Sequence, residues 1–580
     1  MSVRQGLGIA HRRAGQPGAR ARDRRDRRQL ERSRQVPRRR VRADAGAGAP
    51  DRDALSVRGR RGLAPGTCVR RDAHPGGVPV RCRGTAGLPR HDRRQRQGSG
   101  SGARALPCRR DRGGRRGPAG AAGGDQGARL QHQVRLLRRA VGRPDDVRVL
   151  HPRRRVAGVL RVPGDKSISH RALIFAAMAR GRCVIRGAAT GADVRSTRAV
   201  LERLGVAIAG ADDALVVEGN GLAGLDRDPR AAPAELDCGN SGTTARLLLG
   251  LLAGRRGRFR LVGDASLSRR PMRRVTAPLA RLGARIGAGE TLPLEVEGGR
   301  LRAGDIEAGV ASAQVKSALV LAALQADGRS TIRVPGRTRD HTERMLAALG
   351  APVRVEPDGD GERLVVDGAL DALASFEIDV PGDPSSAAFL AALACLLPDS
   401  RLEIEGVSLN PTRLGFVGLL ERMGARIGRV PADEAGPEPR GTLVVESAAL
   451  AGIDVGPADV AAAIDEIPLL AVVASRAAGR TVIRGAAELR VKESDRIRAT
   501  CALLEAFGVP VEEFDDGLAV TGGAPLRGAS VDAAGDHRIA MCAAVLAALA
   551  DRPSRLTGAR WVSVSWPSFF DELERLAPRR

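Results

Sequence analysis

Along residues 156–580, short polar stretches rich in Gly, Asp, Ser and Thr repeatedly give way to apolar, alanine- and leucine-rich runs. The first polar stretch is Pro163-Gly164-Asp165-Lys166-Ser167-Ile168-Ser169-His170-Arg171, and Ala172 to Ala179 follow it. Pro and Gly break any preceding strand, Asp and Ser are good helix-start residues, and the alanine-rich run has strong helix propensity. A helix is therefore predicted from about Lys166. The same pattern returns at Gly239-Asn240-Ser241-Gly242-Thr243-Thr244-Ala245-Arg246, at Ala311-Ser312-Ala313-Gln314-Val315-Lys316-Ser317, and at Gly382-Asp383-Pro384-Ser385-Ser386. It returns again at Asp465-Glu466-Ile467-Pro468 and at Gly535-Asp536-His537-Arg538. The starts at 164, 239, 311, 382, 465 and 535 are 75, 72, 71, 83 and 70 residues apart, a regularity that predicts six structural repeats.

Between the polar-capped runs lie β-type segments such as Leu215-Val216-Val217-Glu218 and Leu364-Val365-Val366-Asp367. Shorter amphipathic helices are predicted over 197–204, 342–349 and 496–507, each followed directly by a Gly that can end it. Each repeat thus reads as a β-α-β-α unit with one buried helix. The fold class is α/β, with six units making two domains of three. Gly382-Asp383-Pro384 is a natural place for the chain to cross between them.

If the buried helices point their N-termini the same way, their positive dipole ends face one cleft, and the ligand there should be highly anionic. Lys166, Arg171, Arg246, Lys316 and Arg538 stand at those starts, with Arg270, Arg339, Lys492 and Arg496 on loops nearby in the pattern. The chain has only three lysines, Lys166, Lys316 and Lys492, so each is a candidate for a site that needs a compact, titratable ammonium. Beyond residue 155 only His170, His341 and His537 remain, each in a polar cluster.

Net charge changes the picture less than its size suggests. The whole chain carries +29, but residues 1–155 hold 42 Arg, no Lys and 12 acidic residues, a balance of +30, and the remainder is close to neutral. That first quarter shows no helical or strand period in its apolar residues and is expected to be disordered. Three readings compete for it: a nucleic-acid arm without stacking aromatics, a targeting segment of awkward length and acidity, or GC-rich sequence read upstream of the true start or out of frame. The third fits best, since Arg, Gly, Ala and Pro dominate while core patterns are missing. No run of 18 apolar residues is present. The eight cysteines are scattered with no C-x-x-C pair, so free thiols are expected rather than a metal site or a disulfide framework.

The motifs together resemble the enolpyruvyl transferase family, in the branch that acts on shikimate 3-phosphate, over about residues 156–578. Besides the repeat starts, the resemblance rests on Ser268-Arg269-Arg270-Pro271-Met272, Arg339-Asp340-His341-Thr342-Glu343 and Arg490-Val491-Lys492-Glu493-Ser494-Asp495-Arg496. It implies two inside-out α/β domains of three repeats each, one from 156–164 and 383–580 and the other from 165–382, closing on the substrates. It also implies transfer of the enolpyruvyl group of phosphoenolpyruvate to the 5-hydroxyl of shikimate 3-phosphate by a cytoplasmic monomer, with no cofactor, no metal, no membrane and no nucleic acid. On the same basis shikimate 3-phosphate is held by Lys166, Ser167, Arg171, Ser312, Ala313, Gln314, Asp465 and Lys492. Phosphoenolpyruvate is held by Lys166, Gly242, Arg270, Gln314, Arg496 and Arg538. The chemistry needs a base near the hydroxyl and a proton donor near the methylene, for which Asp465 and Glu493 are the candidates, with Lys166 sharing the proton handling.

The sequence departs from the family in two places. Ser563-Val564-Ser565-Trp566-Pro567 has no lysine where some members carry one, and the chain has no Tyr for any substrate-stacking role. A sister activity on a UDP-linked amino sugar fits the Asp-Lys-Ser-x-Ser-His-Arg motif poorly. A nucleic-acid-binding protein using the Arg-rich arm, and a fusion to a decayed upstream enzyme, are the alternatives of a different kind. Because Gly242 is unsubstituted, the resemblance implies sensitivity to glyphosate, a phosphoenolpyruvate-like inhibitor of the family. Inhibition of turnover is the expected assay result, and no effect at millimolar glyphosate would reject it.

Overall fold

Six buried helices form the frame: α1 (Lys166–Met178), α2 (Gly242–Ala253), α3 (Ala313–Ala323), α4 (Pro384–Leu396), α5 (Ile467–Ala474) and α6 (His537–Leu549). They come from a computed structural model that describes residues 146–211, 213–432 and 436–580. The expectation of disorder for residues 1–145 lies outside the described residues.

All six helices are buried on nearly every face, which is why their sequences are apolar all round rather than striped. Small residues let them approach closely. A Cβ on Gly250 of α2 would lie 2.0 Å from the Ala318 carbonyl oxygen of α3, so these two backbones touch with no room for a side chain. The amphipathic helices run over Ala192–Arg203, His341–Ala348 and Arg496–Ala506. The glycines just beyond them, Gly205, Gly350 and Gly508, take positive φ of 89°, 70° and 83°, the left-handed conformation that ends a helix.

Each helix pair is covered by a small sheet of repeated topology. In the second repeat, Ala234–Asp237 pairs in parallel with Gly257–Val262, which pairs antiparallel with Leu294–Gly298, and Arg285–Ile286 closes the edge. The third and fifth repeats use the same order. The unit is therefore β-α-β-α-β-β, the predicted unit plus a closing hairpin. The first and fourth repeats exchange their leading strands. Ala157–Leu160, which precedes α1, pairs with Arg401–Ser408 of the fourth repeat, and Glu377–Asp379, which precedes α4, pairs with Ala179–Arg186 of the first.

Two hydrophobic cores result. One is drawn from 150–160 and 387–577, the other from 168–380. The chain passes between them twice, at Gly164 and Gly382, which face each other in an isolated bridge. There the Asp165 N–H donates to the Pro381 carbonyl at 2.7 Å and the Asp383 N–H to the Pro163 carbonyl at 2.9 Å.

The sixth repeat corrects the expected start of the folded chain. Its sheet pairs Ser530–Asp532 with Ser554–Thr557 and is completed by Val147–Leu150, antiparallel to the latter. Arg153 is buried, donating to both carboxylate oxygens of Glu574 at 2.8 and 2.5 Å and to the Ala577 carbonyl at 2.7 Å. Residues 146–155 are thus structural, because a sheet edge and a carboxylate in the last helix need them; the arginine-rich composition around them hid that need.

Chains beginning at residue 146 and at residue 156 should therefore differ in stability. The shorter is expected to lose roughly 3 kcal/mol in urea unfolding, from the strand hydrogen bonds and the lost Arg153 contacts. The Arg153 hydrogen bond draws the Glu574 carboxyl down from its ordinary 4.5 to about 2, so the pair's contribution is complete above pH 4.5 and fades as pH falls toward 2. Equal unfolding midpoints for the two chains at pH 7 would show that residues 146–155 are dispensable.

Candidate active site

A cleft of about 560 Å³ opens at the helix starts. Lys166 and Ser167 reach it from the first turn of α1, Gly242 and Thr243 from α2, Ser312, Ala313 and Gln314 from α3, and His537 and Arg538 from α6. Asp465 comes from the 3-10 turn Ile464–Glu466 that leads into α5, and Arg496 opens the helix Arg496–Ala506. Acidic caps pin these ends: Asp165 accepts from the Ile168 N–H at 3.0 Å, Asp536 from the Arg538 N–H at 2.8 Å, and Asp495 from the Arg498 N–H at 3.1 Å. The N-terminus of α4 is the exception, for it lies at the chain crossing and takes no part in the cleft wall.

Nine cationic side chains line the cleft against four carboxylates, and two more buried carboxylates, Asp536 at 2.7 Å from Arg496 Nε and Glu466 at 3.3 Å from Arg538 Nη1, stand just behind it, so a smaller surplus of positive charge remains. Each carboxylate is already engaged. Asp465 accepts from Arg339 Nη2 at 2.8 Å, with Arg496 Nη1 at 3.5 Å and Arg538 Nη2 at 3.7 Å. Glu493 lies 2.7 Å from Arg496 Nη2 and 3.7 Å from Arg270 Nη1. Asp193 accepts from Lys166 Nζ at 3.0 Å, and Glu488 from Arg274 Nη1 at 2.6 Å.

Protonation states follow from these contacts. Burial alone would raise the Asp465 carboxyl, but Arg538 and Arg339, with Lys492 and Arg496, hold it well below the usual range. Glu493 is likewise held down against burial by Arg496 and Arg270. Burial would lower Lys166, yet Asp193 and Glu493 outweigh it and keep the ammonium charged. His537 is brought down to about 4, chiefly by burial, and is neutral at ordinary pH. The cleft thus holds the ionised Asp465 and Glu493 beside a charged Lys166 and a ring of guanidiniums.

Gln314 is oriented from both ends, accepting from Arg246 Nη1 at 2.7 Å and donating to Thr243 Oγ1 at 2.9 Å. At Gly242, a Cβ would come 3.0 Å from Arg246 Nη1, which would have to give by a few tenths of an ångström, and 3.4 Å from Arg270 Nη1.

Of the residues expected from sequence, Lys166, Ser167, Gly242, Arg270, Ser312, Ala313, Gln314, Asp465, Lys492, Glu493, Arg496 and Arg538 all line this one cleft. Arg171 does not. It sits one turn deeper, donating to Thr342 Oγ1 at 2.7 Å, Ser317 Oγ at 2.6 Å and the Ser167 carbonyl at 2.9 Å. Lys316 is also away from the cleft. Fully buried, it pairs with Glu343 and with Glu362 at 2.6 Å, so its ammonium is a structural counter-ion. His170 and His341 are internal hydrogen bonders, to Thr197 and to Glu438, each at 2.7 Å.

Sequence reasoning missed Asp193, Arg274, Arg337 and Glu488. Asp193 had a weak signal, an acid in the first turn of a helix that follows a strand. Arg274 and Glu488 are 214 residues apart and meet only through the fold. The lysine-free tail forms the 3-10 turn Ala559–Val564, whose last carbonyl packs against the backbone of Gly191, just before the helix carrying Asp193.

Comparison with known proteins places the chain's sequence and fold. A sequence model of the family described as EPSP synthase (3-phosphoshikimate 1-carboxyvinyltransferase) matches residues 150–573. A 3-phosphoshikimate 1-carboxyvinyltransferase of Shouchella clausii is 45% identical over 424 residues, covering 73% of this chain and 96% of that protein. One from a Synechococcus strain is 48% identical over 443 residues, covering 75% and 99%. Among solved structures, an EPSP synthase from Acinetobacter baumannii superposes with a TM-score of 0.65 at 37% identity, covering 74% of this chain and 98% of that one. The Streptomyces tendae enolpyruvyl transferase NikO, at 19% identity and a TM-score of 0.60, shares the fold.

The assignment of Lys316 to the scaffold gives a clear expectation. Lys316→Ala leaves Glu343 and Glu362 unpaired and should destabilise the protein by about 3 kcal/mol. Binding of anionic ligands by the folded protein should stay unchanged, as measured by calorimetry. Lost ligand affinity with unaltered stability would return Lys316 to the site.

Proposed function

Because the chain belongs to the EPSP synthase family, we propose that this cleft is where it carries out the family reaction, with the residues below in named roles. That reaction transfers the enolpyruvyl group of phosphoenolpyruvate to the 5-hydroxyl of shikimate 3-phosphate, giving 5-enolpyruvylshikimate 3-phosphate and phosphate. It is a step of the shikimate pathway to chorismate and the aromatic amino acids.

The observation that carries the assignment is the charge of the cleft. With each phosphate contributing roughly two negative charges near neutral pH, and each substrate adding a carboxylate, the two substrates together bring about six. The cleft, with nine cations over four lining carboxylates, carries a surplus of the sign needed to hold them. In this reading Lys166, Ser167, Ser312, Ala313, Gln314 and Lys492 hold shikimate 3-phosphate, and Arg171 supports Ser167 from behind. Lys166, Gly242, Arg270, Gln314, Arg496 and Arg538 hold phosphoenolpyruvate.

Asp465 accepts the proton of the 5-hydroxyl as its oxygen bonds to C2 of phosphoenolpyruvate, and Glu493 delivers a proton to C3. Both carboxylates are ionised in the free cleft. For Asp465 that is the competent state for a base. Glu493 must first gain a proton, and anions that take up the charge of Arg270 and Arg496 remove what holds its carboxyl low. The Lys166 ammonium, close enough to act on Glu493 electrostatically, stabilises developing negative charge and shares the proton. From the tetrahedral adduct, phosphate leaves C2 as C3 gives up a proton, restoring the double bond.

The two cores, each carrying three repeats, are read as two domains that close over the substrates, with boundaries near 164 and 382. The protein is read as a cytoplasmic monomer. Among the described residues no helix is long and apolar enough to cross a membrane.

Phosphate release from the two substrates tests the roles. Lys166→Ala, Glu493→Ala and Asp465→Asn should each lower kcat about a hundredfold or more. Unchanged turnover in these variants would discard the assignment.

A further inference from the structure

Directly after the base candidate lies a second carboxylate, Glu466, which the mechanism above does not use. It is buried, 4% exposed, and does not line the cleft. Its Oε1 accepts from the Ser385 hydroxyl at 2.5 Å and faces Arg538 Nη1 at 3.3 Å. The same Nη1 donates to the Asp465 carbonyl at 2.8 Å, so one nitrogen of the Arg538 guanidinium is fixed twice by neighbouring residues of one turn. Arg538 Nη2 points toward the Asp465 carboxylate at 3.7 Å, and Arg538 Nε is buried with no partner among the described residues. Nη2, beside the Asp465 carboxylate, is thereby the nitrogen left to turn onto a ligand in the cleft.

The other end of the contact runs to the chain crossing. Ser385, in the first turn of α4, accepts from Arg413 Nη2 at 3.1 Å. That guanidinium is itself held by Asp383 Oδ1 at 2.6 Å and Asp165 Oδ2 at 3.0 Å, the two acids that flank the crossings. Every member, Asp165, Asp383, Arg413, Ser385, Glu466 and Arg538, is at most 7% exposed. Water therefore cannot substitute for a lost partner without rearrangement. A buried glutamate placed between a scaffold hydroxyl and a cleft arginine would be an expensive way to add stability alone, since an apolar side chain there would need no counter-charge.

We propose that Glu466 is a positioning residue for phosphoenolpyruvate. It fixes the Arg538 guanidinium by one nitrogen and references it, through Ser385 and Arg413, to the point where the chain passes between the two cores. The proposal rests on the reading of Arg538 as a phosphoenolpyruvate ligand. It places Glu466 in the affinity for that substrate and leaves shikimate 3-phosphate, held by Lys166, Ser167, Ser312, Ala313, Gln314 and Lys492, unaffected.

Steady-state phosphate release by the full chain tests it, with KM determined for each substrate in Glu466→Gln, Ser385→Ala, Arg538→Lys and the double variant Glu466→Gln/Arg538→Lys. Glu466→Gln should raise KM for phosphoenolpyruvate about tenfold and leave that for shikimate 3-phosphate within about twofold. Ser385→Ala, which removes only a hydroxyl, should act in the same direction by about threefold and keeps the test open if the glutamine variant folds poorly. On the Arg538→Lys background, Glu466→Gln should change KM for phosphoenolpyruvate by less than about twofold, because the residue acts through the group already altered. Equal rises in both KM values, or effects that multiply in the double variant, would reduce Glu466 to a structural acid and overturn the proposal. If Arg538→Lys alone leaves KM for phosphoenolpyruvate unchanged, it is the reading of Arg538 that fails, and the proposal falls with its premise.

Discussion

Surplus positive charge inside one cleft is the constraint on which the rest of this structure depends. Nine cations and four carboxylates share a cavity of about 560 Å³, with the helix starts that line it adding their dipole ends. Such a concentration of like charge opposes folding unless a rigid frame imposes it. The frame is the set of wholly buried helices, whose apolar bodies fix where their polar first turns must lie. The carboxylates already present relieve part of the repulsion, and every one of them contacts a cation. The cleft is therefore strained toward accepting anions, and binding two of them discharges that strain.

The repeat topology explains how one chain brings the parts together. Each unit presents the start of its buried helix at the same end, so six copies would give six equivalent corners. Five of these reach the cleft, and the sixth, at α4, has been turned to another task. There Asp383 caps the helix while Arg413 bridges it to Asp165 where the chain crosses. Burial and the charge of Asp165 push the Asp383 carboxyl up, while Arg413 holds Asp165 down, so the crossing is a tight electrostatic knot of its own. The exchange of leading strands between the first and fourth repeats puts covalent chain and sheet pairing on both sides of that knot.

Much of this was legible in the chain. The helix starts fell where polar caps met apolar runs, α1 beginning at Lys166 as its Asp165 cap implied. The glycines after 204, 349 and 507 ended their helices in the left-handed conformation. Most of the cleft residues were legible as well, because they sit in first turns, where sequence position fixes spatial position. What sequence could not show was depth. Lys316 and Arg171 share the pattern of Lys166 and Arg538, yet one lies 3 residues and the other 5 residues past the first residue of its helix, and each faces buried partners instead of the cleft. Arg274 and Glu488 were invisible for another reason, since their pairing depends on how distant repeats meet. Residues 146–155 were hidden by composition: a strand of four residues and one buried arginine look like the arginine-rich sequence before them.

The central claim, that the surplus charge of the cleft exists to hold two phosphorylated acids against Asp465, Glu493 and Lys166, is tested most directly by a crystal structure of the protein with shikimate 3-phosphate and a non-reacting phosphoenolpyruvate analogue. The account predicts both molecules in this cleft. The 5-hydroxyl should lie within hydrogen-bond reach of Asp465, and Glu493 and Lys166 should face the methylene carbon, with Arg270, Arg496 and Arg538 turned from the carboxylates onto the analogue. Either ligand bound elsewhere, or Asp465 and Glu493 still locked to their arginines with both ligands present, would contradict it.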